Sequence, residues 1–162
     1  MRLKECSDEF ERPNDATQYD SGDLVANSTT AGSVTPLEFN VSRGSIKVVA
    51  AKVTKTDETD VTGAAFRLAL FGSEPTVANG DNGAISFNES DFIGYILFPT
   101  MVAATDLAYA KAQVGDSSVD MGALGLHHYA TSSSIWGLLE ARGTYTPAAE
   151  ETFTVTITVE RY

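Results

Sequence analysis

One stretch constrains the fold more than any other: in residues 152–160, Phe153, Val155, Ile157 and Val159 alternate strictly with Thr152, Thr154, Thr156, Thr158 and Glu160. A period of two puts the four apolar side chains on one side of a strand and the polar ones on the other, a separation that a helix cannot make. Burying those four contributes about 6–12 kcal/mol as an upper bound, and a lone hairpin has nowhere to bury them, so a second sheet is required. The preceding segment, Ile135 to Tyr145, is the natural first partner. Face parity pairs Phe153 with Tyr145, Val155 with Gly143, Ile157 with Ala141 and Val159 with Leu139, because a slip by one residue would turn Arg142 and Glu140 towards the core. Thr146 then faces Thr152, and residues 147–151 form the turn, which Pro147 suits because it lacks a ladder N–H. In this register Glu140 and Arg142 share the outward face with Thr154, Thr156, Thr158 and Glu160, and Trp136 points away from Tyr145.

The rest of the chain repeats short β-rich runs separated by turn signals. Leu24–Ala26 follows the Ser21-Gly22-Asp23 turn, and Pro36 flanks a strand at 37–41. The run 46–54 has apolar residues of both parities, Ile46 and Val48 against Val49, Ala51 and Val53, which predicts a central strand covered in part on both faces. Residues 55–60 are a charged connection. Phe66, Leu68 and Leu70 share a core-facing side in 65–71, and 91–98 is an apolar strand ended by Pro99. Residues 103–114 read as a strand from the alternation of Leu107, Tyr109, Lys111 and Gln113, although their alanine content would suit a helical turn; 115–125 is a loop and Leu126–Ala130 a brief strand. About eight strands with no βαβ alternation predict an all-β fold, an antiparallel β-sandwich of jelly-roll type, in a single domain over residues 17–162. Residues 1–16, with only Leu3 and Phe10 as large apolar side chains and Arg12-Pro13 near the end, are expected as an extended N-terminal arm, either a disordered tail or a segment that orders on a partner.

Charge and composition narrow the function. With 162 residues and a net charge of −11, and with 11 basic residues scattered along the sequence, the chain is a poor fit to nucleic acid. No apolar run approaches membrane-spanning length, so no membrane partner is expected. The first ten residues lack the apolar centre of a secretory signal, and Cys6, the single cysteine, has no partner in the chain; synthesis in a reducing cytoplasm is the expectation. Nucleophile-elbow, phosphate-loop and zinc-protease motifs are absent, so neither catalytic residues nor a cofactor is expected. His127 and His128 are adjacent and on a strand would face opposite sides, which prevents joint chelation. Asp57, Glu58 and Asp60, or Asp81, Asn82, Glu89 and Asp91, could offer oxygen ligands to calcium but lack EF-hand spacing and are read as solvated loops, with no metal. The candidate contact residues are Leu3, Phe10 and Arg12 in the arm, and Trp136, Glu140 and Arg142.

From about Gln18 to Val159 the chain resembles the small capsid decoration, or cement, proteins of tailed bacteriophages. The resemblance rests on Tyr19…Asp23-Leu24-Val25-Ala26, on Ala64-Ala65-Phe66-Arg67-Leu68-Ala69-Leu70-Phe71 with Pro75, on Phe92-Ile93-Gly94-Tyr95, and on Leu138-Leu139-Glu140-Ala141…Tyr145-Thr146-Pro147-Ala148…Phe153. None of these motifs is catalytic. The resemblance implies a β-sandwich, often a homotrimer seated where capsomers meet, that binds the major capsid protein on the outer surface of the virion and staples neighbouring subunits against internal DNA pressure. An acidic, thiol-poor domain made in the host cytoplasm is compatible with that role. A tail- or fibre-associated or carbohydrate-binding module would share the sandwich and is the alternative.

Overall fold

The computed structural model describes residues 1–88, 91–113 and 125–162. Among these, eleven strands occur in order: β1 (Arg2–Glu11), β2 (Leu24–Val25), β3 (Leu37–Asn40), β4 (Gly44–Lys55), β5 (Phe66–Phe71), β6 (Phe92–Leu97), β7 (Val102–Ala103), β8 (Ala108–Gln113), β9 (Leu126–Ala130), β10 (Ser134–Ala141) and β11 (Thr152–Arg161). Every pairing between them is antiparallel. One sheet runs β1-β11-β4-β8-β7, with β9 also on β4; the other runs β2-β10-β5-β6, with β3 also on β10. Because β2 and β3 share one flank of β10, and β8 and β9 share one flank of β4, each sheet has four positions, to which, in the first sheet, the two-residue β7 adds a short outer edge on β8. The chain crosses between sheets after β1, β3, β4, β6, β9 and β10. That is the double Greek key of a jelly-roll sandwich. Of the segment 103–114, expected as one strand, residues 108–113 are strand and 104–107 are the turn that joins β7 to β8, closed by the Ala104 N–H to the Leu107 carbonyl; the loop expected over 115–125 falls, up to residue 124, outside the described residues.

The alternation in β11 acts as expected, and its pairing does not. Phe153, Val155, Ile157 and Val159 are fully buried between the sheets. Their flanking strands are β1 and β4, however, and β10 lies in the opposite sheet against β5, β2 and β3. Residues 142–151 are therefore a crossover between sheets. Parity could not tell the two arrangements apart: Leu139, Ala141 and Tyr145 do face the same core as β11, but they reach it from the other side.

The expected arm is also an ordered strand. All ten residues of β1 pair with β11, from Arg2 opposite Arg161 to Glu11 opposite Thr152. Its inward positions are Lys4, Cys6, Asp8 and Phe10, mostly polar, so no apolar alternation announces it. The polarity has a local cause. The inner side of β1 faces the free edge of β3, where unpaired backbone groups need partners. Asp8 Oδ2 accepts from the Glu38 N–H at 2.8 Å, Cys6 Sγ donates to the Asn40 carbonyl at 2.9 Å, and Lys4 Nζ donates to Asn40 Oδ1 at 3.2 Å. Phe10 stacks on Phe153, with ring centroids 5.7 Å apart.

The mixed parity of β4 comes from a bulge, in place of two covered faces. Val159 pairs with Val48 and Thr158 with Ala50, so Val49 is the extra residue and the strand's parity reverses there. Ile46 and Val48 before it, and Ala51 and Val53 after it, then point into one core. At the same place the other neighbour of β4 changes, from β9 (opposite residues 44–48) to β8 (opposite residues 50–55).

The two outer faces differ. On the β10 sheet, Leu24, Ala26, Ala69, Phe71 and Leu138 form a second apolar cluster, covered by Val34, Val77, Ile85 and Phe87 from the loops. Backbone bonds of 2.8–2.9 Å (Leu24 N–H to Gly83 O, Ile85 N–H to Gly22 O, Asn82 N–H to Leu24 O) hold that cover down. The outer face of the β11 sheet carries no such cover among the described residues.

Candidate functional site

Most charged side chains that the sequence offers for contact or chemistry are used inside the fold. Arg12 is buried. Its guanidinium donates through Nε to the Tyr19 hydroxyl, through Nη1 to the carbonyls of Asp15 (3.3 Å) and Ala148 (3.1 Å), and through Nη2 to Asp81 Oδ2 at 3.0 Å. Asp81 Oδ1 also accepts from the Tyr19 hydroxyl at 2.6 Å and the Ala26 N–H at 2.8 Å. Tyr19 lies parallel to Tyr145, whose hydroxyl donates to Glu151 at 2.5–2.7 Å, and Glu151 pairs with Lys55 Nζ at 2.9 Å. Burial pushes the Tyr19 and Tyr145 hydroxyls far above the ordinary phenol range, so both remain donors. Burial also pushes the Asp81 carboxyl up, opposed by its bonds to Tyr19, Ala26 and Arg12. The network is sealed from solvent and ties the β1–β2 connection to the 81 loop and to the crossover.

The other expected contact residues divide. Phe10 is taken up by its stack on Phe153. Trp136 packs, partly buried, into the second apolar cluster and not onto a free surface. Glu140 does face outward from its own sheet, but that is the β10 sheet, so it shares no face with Thr154, Thr156 and Thr158. It is 2% exposed because Arg67 bonds it at 2.8 Å, with Arg142 at 3.2 Å, and Arg67 itself lies 3.8 Å from the Tyr95 ring centre. Arg142 stays at the surface beside Glu140. Leu3 is the expected residue that stands free, 61% exposed. His127 is exposed, while His128 turns inward and burial pushes its imidazole below the usual range. Asp57 is held by Lys55 and Thr59, Asp81 by Arg12, and Glu89 lies outside the described residues. Among the described residues no three metal-ligating side chains come together.

What remains is the uncovered face of the β11 sheet, where register aligns residues in rows across β1, β11, β4 and β8. One row reads Glu5, Thr158, Ala50, Gln113; the next Ser7, Thr156, Lys52, Lys111; the third Glu9, Thr154, Thr54, Tyr109. Threonine and alanine make the centre, glutamates line the β1 margin, and Lys52 and Lys111 stand directly opposite each other. A hollow of about 210 Å³ lies on the Thr156–Thr158 side of these lysines, and one of about 470 Å³ on the side of Tyr109 and Leu107. Towards the chain termini the same sheet exposes Leu3, Tyr129 and Tyr162, and Arg2 opposes Arg161 beside a third hollow of about 240 Å³. The basic residues look scattered in sequence because the strands that carry them are far apart in the chain; only the register of β1, β11, β4 and β8 brings them into pairs.

No protein-family model and no curated protein sequence matches this chain. Among solved structures, the cyanophage Pam1 capsid asymmetric unit is similar at 12% identity and a TM-score of 0.38, covering 97% of this chain and 83% of that one. The acid-stable capsid of the Helicobacter pylori bacteriophage KHP30 is similar at 10% identity and a TM-score of 0.30, covering 99% and 94%. A putative sugar-binding protein from Bacteroides thetaiotaomicron reaches 10% identity and a TM-score of 0.31, covering 96% and 88%. Phage capsid structures are thus among the neighbours of this sandwich. With TM-scores below 0.5, none of these likenesses decides what the chain does.

Proposed function

We propose that the protein is a structural component of a phage virion that binds the outer surface of the capsid and stabilises the shell by bridging neighbouring major capsid subunits. In this reading it is not an enzyme, needs no cofactor, assembles as a homotrimer in the host cytoplasm and then joins the shell. The observation that carries it is the inequality of the two sheets. One is sealed by the protein's own loops, whereas the other keeps a bare face with exposed Leu3, Tyr129 and Val102 and with two lysines, Lys52 and Lys111, that form no ion pair with a described residue. A protein that works by holding others needs such a face. The sequence resemblance to decoration proteins supports the same reading, and a net charge of −11 disfavours contact with the packaged genome. Each copy would bury modest area against more than one subunit, and trimerisation would turn weak contacts into avid binding.

A carbohydrate-binding module is the second reading, favoured by the hollow beside Tyr109. Co-sedimentation with empty capsids that lack the protein tests the first. Pelleting of the purified chain with the shells is expected. A chain that stays in the supernatant, or one that binds on a glycan array, would overturn it.

A further inference from the structure

The centre of the bare face holds two like charges where a sheet tolerates them poorly. Lys52 and Lys111 are direct cross-strand partners on β4 and β8, and like charges in that position repel. Among the described residues no ion pair relieves this. Their neighbours in the rows are Thr156, Thr54, Ala50, Gln113 and Tyr109; the acids around them are Glu5 and Glu9 on β1, two strands from Lys52 and three from Lys111, with Glu5 in the wall of the smaller hollow, and Asp106 before β8, in the wall of the larger. Neither lysine forms an ion pair with a described residue; Lys111 has only the Tyr109 ring, at 5.8 Å. Yet Arg12, Lys47, Lys55, Arg67 and Arg142 all find carboxylates in this acidic chain. The two main hollows of the face both have Lys52 and Lys111 in their walls, so the pair sits on the ridge between them.

We infer that Lys52 and Lys111 form a site that receives a carboxylate, and that the occupant is an Asp or Glu side chain on an acidic protein surface. An anion seated between the two ammonium groups converts their repulsion into two charge-assisted hydrogen bonds. Lys52 stands on β4, paired on both sides by β11 and β8, and Lys111 is held opposite it by the β4–β8 ladder, so the pair is presented on sheet and not on a loop. A protein surface fits better than a sugar acid. The floor is threonine and alanine, the one ring nearby is half-buried with Lys111 over it, and the outer rim has exposed Leu107 and Val102, which suit apolar side chains around a buried ion pair. The assignment rests on the reading of the protein as one that binds a protein shell, and it specifies the chemistry that the shell must present.

The test is an NMR titration of the ¹⁵N-labelled full chain at low salt with a hexaglutamate peptide and, separately, with trigalacturonate. Saturable shifts in residues 50–54 and 108–113 with the peptide are expected, weakened about tenfold or more in Lys52→Glu/Lys111→Glu and by raising salt to 0.5 M. Both lysines are exposed, so the variant should keep its fold and melting temperature. Binding of the sugar acid as tight as or tighter than that of the peptide, or no shift in those strands with either probe, would overturn the site. Shell co-sedimentation separates the two levels. If wild type and variant pellet equally, the lysine site is refuted and the capsid reading stands. If wild type does not pellet, the capsid reading falls and the titration judges the site alone.

Discussion

Replacing Asp81 with alanine should cost more stability than almost any other single side-chain change in the molecule. Its carboxylate and the Arg12 guanidinium are both wholly enclosed, 3.0 Å apart. The substitution leaves Arg12 with the Tyr19 hydroxyl, two carbonyl acceptors and a more distant Asp15 at 3.5 Å, and strips acceptors from the Tyr19 hydroxyl and the Ala26 N–H. Removing one partner of a buried pair costs about 3–5 kcal/mol, because the other charge stays desolvated without its counter-ion. For a chain of this length that is a fall in melting temperature of roughly 6–20 °C. Arg12→Met should cost a similar amount. The double variant Arg12→Met/Asp81→Leu should lose clearly less than the sum of the single changes, with a coupling energy of about 2 kcal/mol or more. Urea unfolding followed by Trp136 fluorescence and far-ultraviolet circular dichroism measures all three. A loss under about 1 kcal/mol for Asp81→Ala, the cost of an exposed pair, would refute the claim that this network pins the loops.

Three further outcomes are expected. Gly63 has a φ of +71° and lies so close to Thr144 that an added Cβ would sit 1.9 Å from its carbonyl oxygen; Gly63→Ala should therefore cost about 3 kcal/mol or more in the same urea assay, and a neutral result would place the β4–β5 loop elsewhere. His128 is held below its ordinary pKa by burial, with Asp91 acting in the opposite sense, so the unfolded chain takes up the proton first: stability is full above about pH 7 and falls as pH drops through about 6.5, a slope that His128→Gln should flatten in urea midpoints compared at pH 7.5 and 5.5. Burial raises the Cys6 thiol and it donates to Asn40, so it should react with Ellman's reagent about tenfold or more slowly in the folded chain than in urea, and equal rates would contradict the seating of β1.

The sequence discloses this fold where burial is one-sided and misleads where it is not. Phe153 to Val159 and Phe66 to Leu70 face the core as their alternation says, because hydrophobic burial is what sets the period. The partner of β11 could not be read, since residues 139, 141 and 145 satisfy the same parity from the opposite sheet. β1 has no apolar alternation to mark it as a strand, because Asp8 and Lys4 point inward to serve the edge of β3, a need that exists only once the sandwich is assembled. The bulge at Val49 produced the apolar pattern of a strand covered on both faces. Arg12 and Glu140, expected as contacts, are enclosed by Tyr19, Asp81 and Arg67; Asp81 and Arg67 lie far from them in the sequence, and no local pattern announces any of the three. The residues that carry the resemblance to decoration proteins, such as Tyr19, Leu24, Phe66, Leu68, Tyr145 and Phe153, are nearly all buried, so they speak for the sandwich and not for its surface. The face left bare became visible only through strand register.

Amide hydrogen exchange of the full chain, free and bound to empty capsids, tests the central claim most directly. If the bare sheet is the binding face, exchange should slow on binding in β4, β8 and β11, above all in residues 50–54 and 108–113, while residues 75–88 over the other sheet keep their free rates. Slowing confined to residues 75–88, with β4 and β8 unchanged, would contradict it.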